Sequence, residues 1–380
     1  MHNHTRTRIG LWIRMWINGR VPVPQSNHMK SKSSRDFSFL VCKKLLAHCI
    51  IPSMGLISTI AKIYTPAVFQ GDLERDGYFE GWYFKQVSPG SDRVLAFIPG
   101  VSLSGERHAF IQMIDGMTGV SRYFQYDLSE FRWLRDRFQV EIGRCRFSTE
   151  GISLDIDNDG TRVTGELRFD GVFPYPVRPL SPGIMGWYSF VPSMECYHGV
   201  VSMGHRLSGE LKIDGAVCSF DNGRGYIEKD WGTSFPESWI WLQGNTFRGS
   251  EGSFMLSIAK IPWRGRHFNG FLCFLYAGGK LYRFMTYTGA TIRKIDKAGN
   301  RLSVTISDRR HRLAVEAEQL ATGSLAAPAS GAMNRPIKEC GNARLSVRLE
   351  HHDGRVIFHA EDSTAGMEAV GDILTLSGRR

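Results

Sequence analysis

The sequence predicts a mainly β protein built from two consecutive antiparallel β-barrel units behind a short helical N-terminal segment. Three observations carry this reading. From residue 71 onward, Gly, Asn-Gly, Asp-Gly and Pro turn signals separate short aromatic and β-branched runs. No stretch of the same region keeps a 3.6-residue apolar stripe over a helix-length window. The roughly sixteen or more strands this implies exceed what one soluble barrel ordinarily uses, so two packed units are expected.

Residues 1–36 mix Arg, Trp and Pro without a period and read as a basic, poorly ordered arm. Residues 1–70 hold ten Lys/Arg against one acidic residue, Asp36, while the whole chain carries +10. The body is therefore nearly neutral, and no specific nucleic-acid partner is expected. Residues 37–66 turn apolar and read as a helical segment. Their longest charge-free part, Leu45–Ala61, contains His48 and Pro52. A proline there ends or kinks a helix, so short helices packed on the body or lying in a membrane interface fit better than a span. Peripheral membrane contact is accordingly expected from residues 1–66.

The first β-unit is placed at 67–190, with strand-like runs such as DRVLAFIPGV, RHAFIQMIDG, GISLDIDNDG and TRVTGELRFDG. Residues 173–192 carry five prolines and are read as a crossing loop that delivers Trp187 and Tyr188 to the start of a return strand. The second unit is placed at 191–378, with SWIWLQGN, GSFMLSIAKIP, FNGFLCFLYAGG and RVIFHAEDS among its strands. Seven cysteines, an odd number without a CxxC pair, point to a reducing, cytoplasmic compartment and away from a structural zinc site.

Four aromatic-polar segments are candidates for chemistry. In YFEGWYFK, alternation puts Glu80, Trp82 and Phe84 on one face and Tyr83 and Lys85 on the other. In RHAFIQM, His108, Phe110 and Gln112 share a face. In the run GYIEKDWGTSFPESWIWLQGN, Tyr226, Glu228 and Asp230 alternate with Ile227, Lys229 and Trp231, and Trp239, Trp241, Gln243 and Asn245 line one face farther on. MECYHG groups Met194, Cys196 and His198 opposite Glu195 and Tyr197. Tryptophans beside amides suit a pocket wall for an extended apolar ligand with a polar head, and their π faces can steady a cation. The same residues could instead brace a barrel corner. Walker, GxGxxG, HExxH and GxSxG motifs are absent from the sequence.

These segments resemble the tocopherol cyclase family and its bacterial tocopherol-cyclase-like members. The matching stretches are Phe69-Gln70-Gly71-Asp72, YFEGWYFK at 78–85, the run ending at Asn245, APASGAMNRPIKECGNARLSV at 327–347, and Ala365-Gly366-Met367-Glu368. The resemblance covers roughly residues 60–378 and implies a twin lipocalin-like fold with no redox cofactor or metal. Its plant members carry Asn where this chain has Asp230.

The activity implied is closure of a chromanol ring on a prenylated hydroquinone. An alkene is protonated to a tertiary cation, and a phenol oxygen captures it. The expected donor is Glu228 or Asp230, with Glu80 as the competing carboxylate and Lys229 tuning a neighbour. Trp82, Trp239 and Trp241 are the expected cation wall. His108, Gln243 and Asn245 would position the hydroxyls, and Gln112, Tyr188 and Trp231 would complete the binding surface. Two alternatives stay open: a non-catalytic lipid or terpenoid carrier, and a related hydratase or pericyclase.

Overall fold

Turn chemistry sets the strand ends. Gly278 and Gly279 adopt φ of 55° and 74° in the two-residue turn between strands Arg266–Ala277 and Lys280–Met285. Asp214 and Gly215 do the same, at 48° and 91°, between Cys196–Ile213 and Ala216–Ser219. Positive φ at both central positions gives the hairpin turn whose twist matches the flanking strands. The structure is a computed structural model and describes residues 60–158, 160–192, 194–263 and 266–377. Residues 60–64 form a helical turn, and the rest of the expected N-terminal helical segment and the basic arm lie outside the described residues.

The strands pair into two large antiparallel sheets, of twelve and ten strands. In the first, Phe79–Val87 pairs with Val94–Ser102 on one side and with Arg224–Gly232 on the other. The path continues in sequence order through His108–Asp115 to Ser121–Asp127, then resumes at Phe131–Trp133 and returns to Arg224–Gly232. The second sheet follows the same circuit: Trp239–Gly244 pairs with Gly252–Trp263 and with the last strand, Val356–Val370.

Each unit is thus an up-and-down ring, the circuit of a lipocalin-like barrel, open at one seam. The seam strands are consecutive in both cases. A 3-10 turn spans each gap, Leu128–Glu130 in the first unit and Thr286–Thr288 in the second. The mainly β, two-barrel expectation holds.

Two details differ from the sequence reading. The first ladder runs on to Gly232, so Cys196–Ile213 and Arg224–Gly232 belong to the first sheet and the change of sheet falls between Gly232 and Trp239. The prolines at 173–192 form an excursion within the first unit, because the chain must return to pair with its own first strand. Trp187 and Tyr188 sit on a 3-10 turn, Gly186–Phe190, rather than on the strand that begins at Cys196.

The interior of the first ring is filled by Trp82, Phe84, Phe97, Val140 and Ile227, and that of the second by Ile240, Leu242, Leu256, Val304 and Val347. A third apolar cluster joins the outer faces of the two rings, with Ala96 and Tyr226 from one and Trp239, Trp241, Met255 and Ile337 from the other. The backbones come close where Gly116 faces Gly341: a Cβ on Gly341 would stand 2.6 Å from the Gly116 Cα. Backbone cannot yield as a side-chain tip can. Gly341→Val is therefore expected to destabilise the fold by roughly 2 kcal/mol, read as a lower urea midpoint at unchanged slope. An unaltered midpoint would mean that the two rings separate freely there.

Candidate active site

A cavity lies between the two rings, lined by the faces of both that point away from their own interiors. Alternation decides what reaches it. From Phe79–Val87 the cavity receives Phe79, Gly81 and Tyr83, whereas Trp82 and Phe84 turn into the first ring. From Arg224–Gly232 it receives Glu228 and Asp230, and from the start of Cys196–Ile213 it receives Cys196 and His198. The second ring supplies Trp239, Trp241, Glu339 and Glu368, while the loop before it adds Phe235. A Cβ on Gly366 would come within 2.5 Å of the Trp241 ring, so the missing side chain makes room for this indole.

The polar groups form two neighbouring clusters. On the first ring, His198 and Asp230 are cross-strand partners, and Nδ1 lies 2.9 Å from Asp230 Oδ1. His198 Nε2 lies 3.7 Å from Glu228 Oε2, which also accepts a 2.8 Å hydrogen bond from the Tyr226 hydroxyl. The ligand atoms of His198, Glu228 and Asp230 all fall within 4.8 Å of one another. They are spaced to ligate a cation, but the Asp230 contact already takes Nδ1, and this favours a shared-proton network. On the second ring, Glu339 and Glu368 stand directly opposite each other in the ladder. Like charges at such a pair are destabilising, and burial makes the repulsion worse. Tyr83 donates to Glu339 Oε1 at 2.7 Å, and the Trp239 indole donates to Glu368 Oε2 at 2.5 Å. Tyr83 is also the cross-strand partner of Glu228, so it bridges the clusters.

Their acidities follow from this setting. Burial, with Asp230 adding to it, lifts the Glu228 carboxyl to about 7 although His198 and Tyr226 pull it down. Burial also lifts Glu339 to about 7 against the Tyr83 hydrogen bond and Lys85. Glu368 is raised well above the carboxylate range by burial and then by Glu339. His198 moves the other way: burial opposes its charge, but Asp230 and Glu228 outweigh it and raise the imidazole to about 9. At neutral pH the cavity therefore stores acid protons beside an imidazolium, under an aromatic wall.

Of the residues expected from the sequence, Glu228, Asp230, Gln112, Tyr188, Trp239 and Trp241 line this cavity. Gln112 has both ends of its amide tied to the Ala326 backbone, so it pins the second ring's strand rather than waiting for a ligand.

Seven others lie elsewhere. Glu80, Lys229, Trp82 and Trp231 take the opposite alternation. Lys229 Nζ is 2.6 Å from Glu80 Oε1 and lies over the Trp82 and Trp231 rings. His108 shares the face of Gln112 but is held between Tyr123 and the Glu106 carbonyl. Gln243 and Asn245 share the face of Trp241 but run past the cavity into a buried chain, Lys85 to Gln243 to Asn245 to the Gly225 carbonyl. Burial lowers Lys85 to about 8. Conversely, Tyr83, His198, Glu339 and Glu368 were not among the expected site residues. For Glu368 the available signal was a lone acid in an otherwise small or apolar stretch, AGMEAV.

Comparison with known proteins agrees with the motifs. The family described as Tocopherol cyclase-like matches residues 171–371. The probable chloroplastic tocopherol cyclase of Oryza sativa subsp. japonica is 29% identical over 197 residues, which span 49% of this chain and 42% of that protein. The chloroplastic tocopherol cyclase of Zea mays is 27% identical over 197 residues, 49% of this chain and 41% of that one. The match thus spans less than half the length of either plant protein.

Among solved structures, CghA with Sch210972 superposes over 78% of this chain and 89% of its own, with a TM-score of 0.47 and 10% identity. Kievitone hydratase from Nectria haematococca superposes over 80% and 94%, with a TM-score of 0.44 and 9% identity. The matched region 171–371 is more than half of the 380 residues and includes Glu228, Glu339 and Glu368, and the chain belongs to the tocopherol cyclase-like family.

Proposed function

We propose that this protein is a cofactor-independent cyclase that closes an oxygen ring on a prenylated hydroquinone or related terpenoid phenol. The observation that carries this reading is the aromatic cavity whose buried carboxyls hold protons at neutral pH beside a charged imidazole. Glu228 is the donor. Its proton goes to the less substituted alkene carbon, which leaves a tertiary cation against the rings of Trp239, Trp241 and Tyr83. The resulting Glu228 carboxylate is stabilised by His198, whose positive charge Asp230 maintains. The phenol oxygen attacks the cation, and its proton returns to the Glu228 carboxylate, which restores the donor. Atoms balance as an isomerisation, and the largely apolar lining disfavours capture of the cation by water.

Incubation with a prenylated hydroquinone in deuterated water tests this directly. The expected product has the substrate's composition plus one carbon-bound deuterium at the former alkene. A product heavier by one water would replace the cyclase with a hydratase. Tight binding without turnover would leave a carrier.

A further inference from the structure

Glu339 and Glu368 take no part in the proton transfer from Glu228, yet both face the cavity. With Trp241 they form one row across three adjacent strands of the second ring, Ala332–His351, Val356–Val370 and Trp239–Gly244. Glu368 is the direct ladder partner of Glu339 on one side and of Trp241 on the other. All three line the cavity, and none is more than 9% exposed. Glu339 accepts from the Tyr83 hydroxyl and Glu368 from the Trp239 indole, one described hydrogen bond each. A carboxyl group has capacity for several more. The Trp241 indole N–H lies near Glu228 but makes no hydrogen bond among the described residues. A buried donor without an acceptor is destabilising, and a ligand oxygen in the cavity would satisfy it.

We infer that the Glu339–Glu368 pair and the Trp241 indole form a subsite for a second hydroxyl of the ligand, the one remote from the oxygen that closes the ring. A hydroxyl both accepts and donates. Its oxygen can take the Trp241 N–H, and its hydrogen can go to the acid pair. The two acids differ in their surroundings. Tyr83 donates to Glu339, and Lys85, which shares the Tyr83 face of its strand and donates to Gln243, adds a positive charge; both favour a carboxylate there. Glu368 has Glu339 as a like-charged neighbour and keeps its proton. The pair therefore presents one acceptor and one donor. Because Lys85 already balances the charge, the row suits a neutral polar group rather than an ammonium ion. Tyr83 is the ladder partner of Glu228, reaches Glu339, and meets the Trp241 ring edge-on at 5.3 Å. The subsite and the proton donor thus flank one tyrosine, and an aromatic ring with an oxygen at each end would engage both. The inference rests on the cyclase reading only in taking a phenol as the ligand.

The test is equilibrium binding to the full chain, under argon, of three ligands whose saturated tails cannot react. They are decylhydroquinone, ortho-decylphenol, which lacks the remote hydroxyl, and the methyl ether of decylhydroquinone at that hydroxyl. Decylhydroquinone should bind about thirtyfold tighter than either, the effect of a hydrogen bond to a charged group. Equal or reversed affinities on the native protein would overturn the inference. The double substitution Glu339→Leu, Glu368→Leu removes the repulsion together with the polar groups and should bring the ratio of Kd values close to one. Trp241→Phe keeps both acids and the aromatic wall, loses only the N–H, and should lower the ratio severalfold even where the double variant fails to fold. A ratio unchanged in either folded variant would place the remote hydroxyl elsewhere and overturn the inference as well. Turnover plays no part in these measurements. A hydroquinone preference in a protein that fails the deuterium experiment would keep the subsite and remove the cyclase, whereas cyclisation without the preference would do the reverse.

Discussion

Replacing Glu228 by Gln is expected to lower kcat by roughly a thousandfold, within the range assigned to a positioned general acid, while leaving substrate affinity nearly unchanged. The amide keeps the shape of the side chain and an oxygen that can accept from the Tyr226 hydroxyl. What it cannot do is supply a proton. Glu339 and Glu368 hold protons in the same cavity, but neither has a charged imidazole beside it among its described contacts. Their conjugate bases would form without that stabilisation, so they should substitute poorly.

The pH dependence follows from the weakened acidity of the Glu228 carboxyl. The donor must be protonated to act, and its carboxyl titrates at about 7. The native rate should therefore be level below that pH and fall as pH rises through it, whereas the residual rate of Glu228→Gln should lack this limb. Single-turnover kinetics across pH 5 to 9 would check both. A variant retaining a tenth or more of the native rate would transfer the donor role to the Glu339–Glu368 pair.

Much of the architecture was legible because turn residues and alternation are local properties. The hairpins at Asp214-Gly215 and Gly278-Gly279 are specified by the residues that occupy them. The direction of each strand's faces was not legible, because a period of two separates them without labelling either as inward. YFEGWYFK shows the consequence. Its Glu80 and Trp82 look like the functional face, yet they point into the first ring, and the cavity receives Tyr83.

The cavity also lies between the rings rather than inside either of them. Its composition depends on how two separate circuits dock, which no local pattern encodes. Glu339 reaches Tyr83 only through that docking, whereas Glu368 meets Trp239 within its own ring. Their direct opposition in the ladder is a cost set against one hydrogen bond each, from Tyr83 and from Trp239. A buried acid pair that a fold would otherwise avoid is therefore the clearest mark of function in the second ring.

Lys229→Met should destabilise the protein by about 3–5 kcal/mol, the usual consequence of removing one partner from a buried ion pair. Both Lys229 and Glu80 have fully buried side chains. Besides Glu80, the ammonium donates to the carbonyls of Pro66 and Val68, and it lies 4.8 Å and 4.7 Å from the ring centres of Trp82 and Trp231. Glu80 in turn accepts from the backbone N–H groups of Gln70 and Gly71 and from the Tyr78 hydroxyl. Together the pair clamps residues 66–71 to the first ring. Three of the stretches that resemble the family, around Phe69, Glu80 and Lys229, therefore meet at a latch, and two of them also send Tyr83, Glu228 and Asp230 to the cavity.

Removing the cation alone leaves a carboxylate buried with only neutral donors, whereas removing both charges leaves none to solvate. Glu80→Gln combined with Lys229→Met should therefore be more stable than Lys229→Met by itself. Urea unfolding of the two single variants and the double variant would measure this as a coupling energy. A double variant as unstable as the sum of the singles would show that the clamp acts through its separate contacts to the backbone and the tryptophans. Because Glu228 and Asp230 alternate with Lys229 on one strand, the latch also fixes the rotation of the strand that presents Glu228. A fraction of Lys229→Met that remains folded should consequently lose turnover as well as stability.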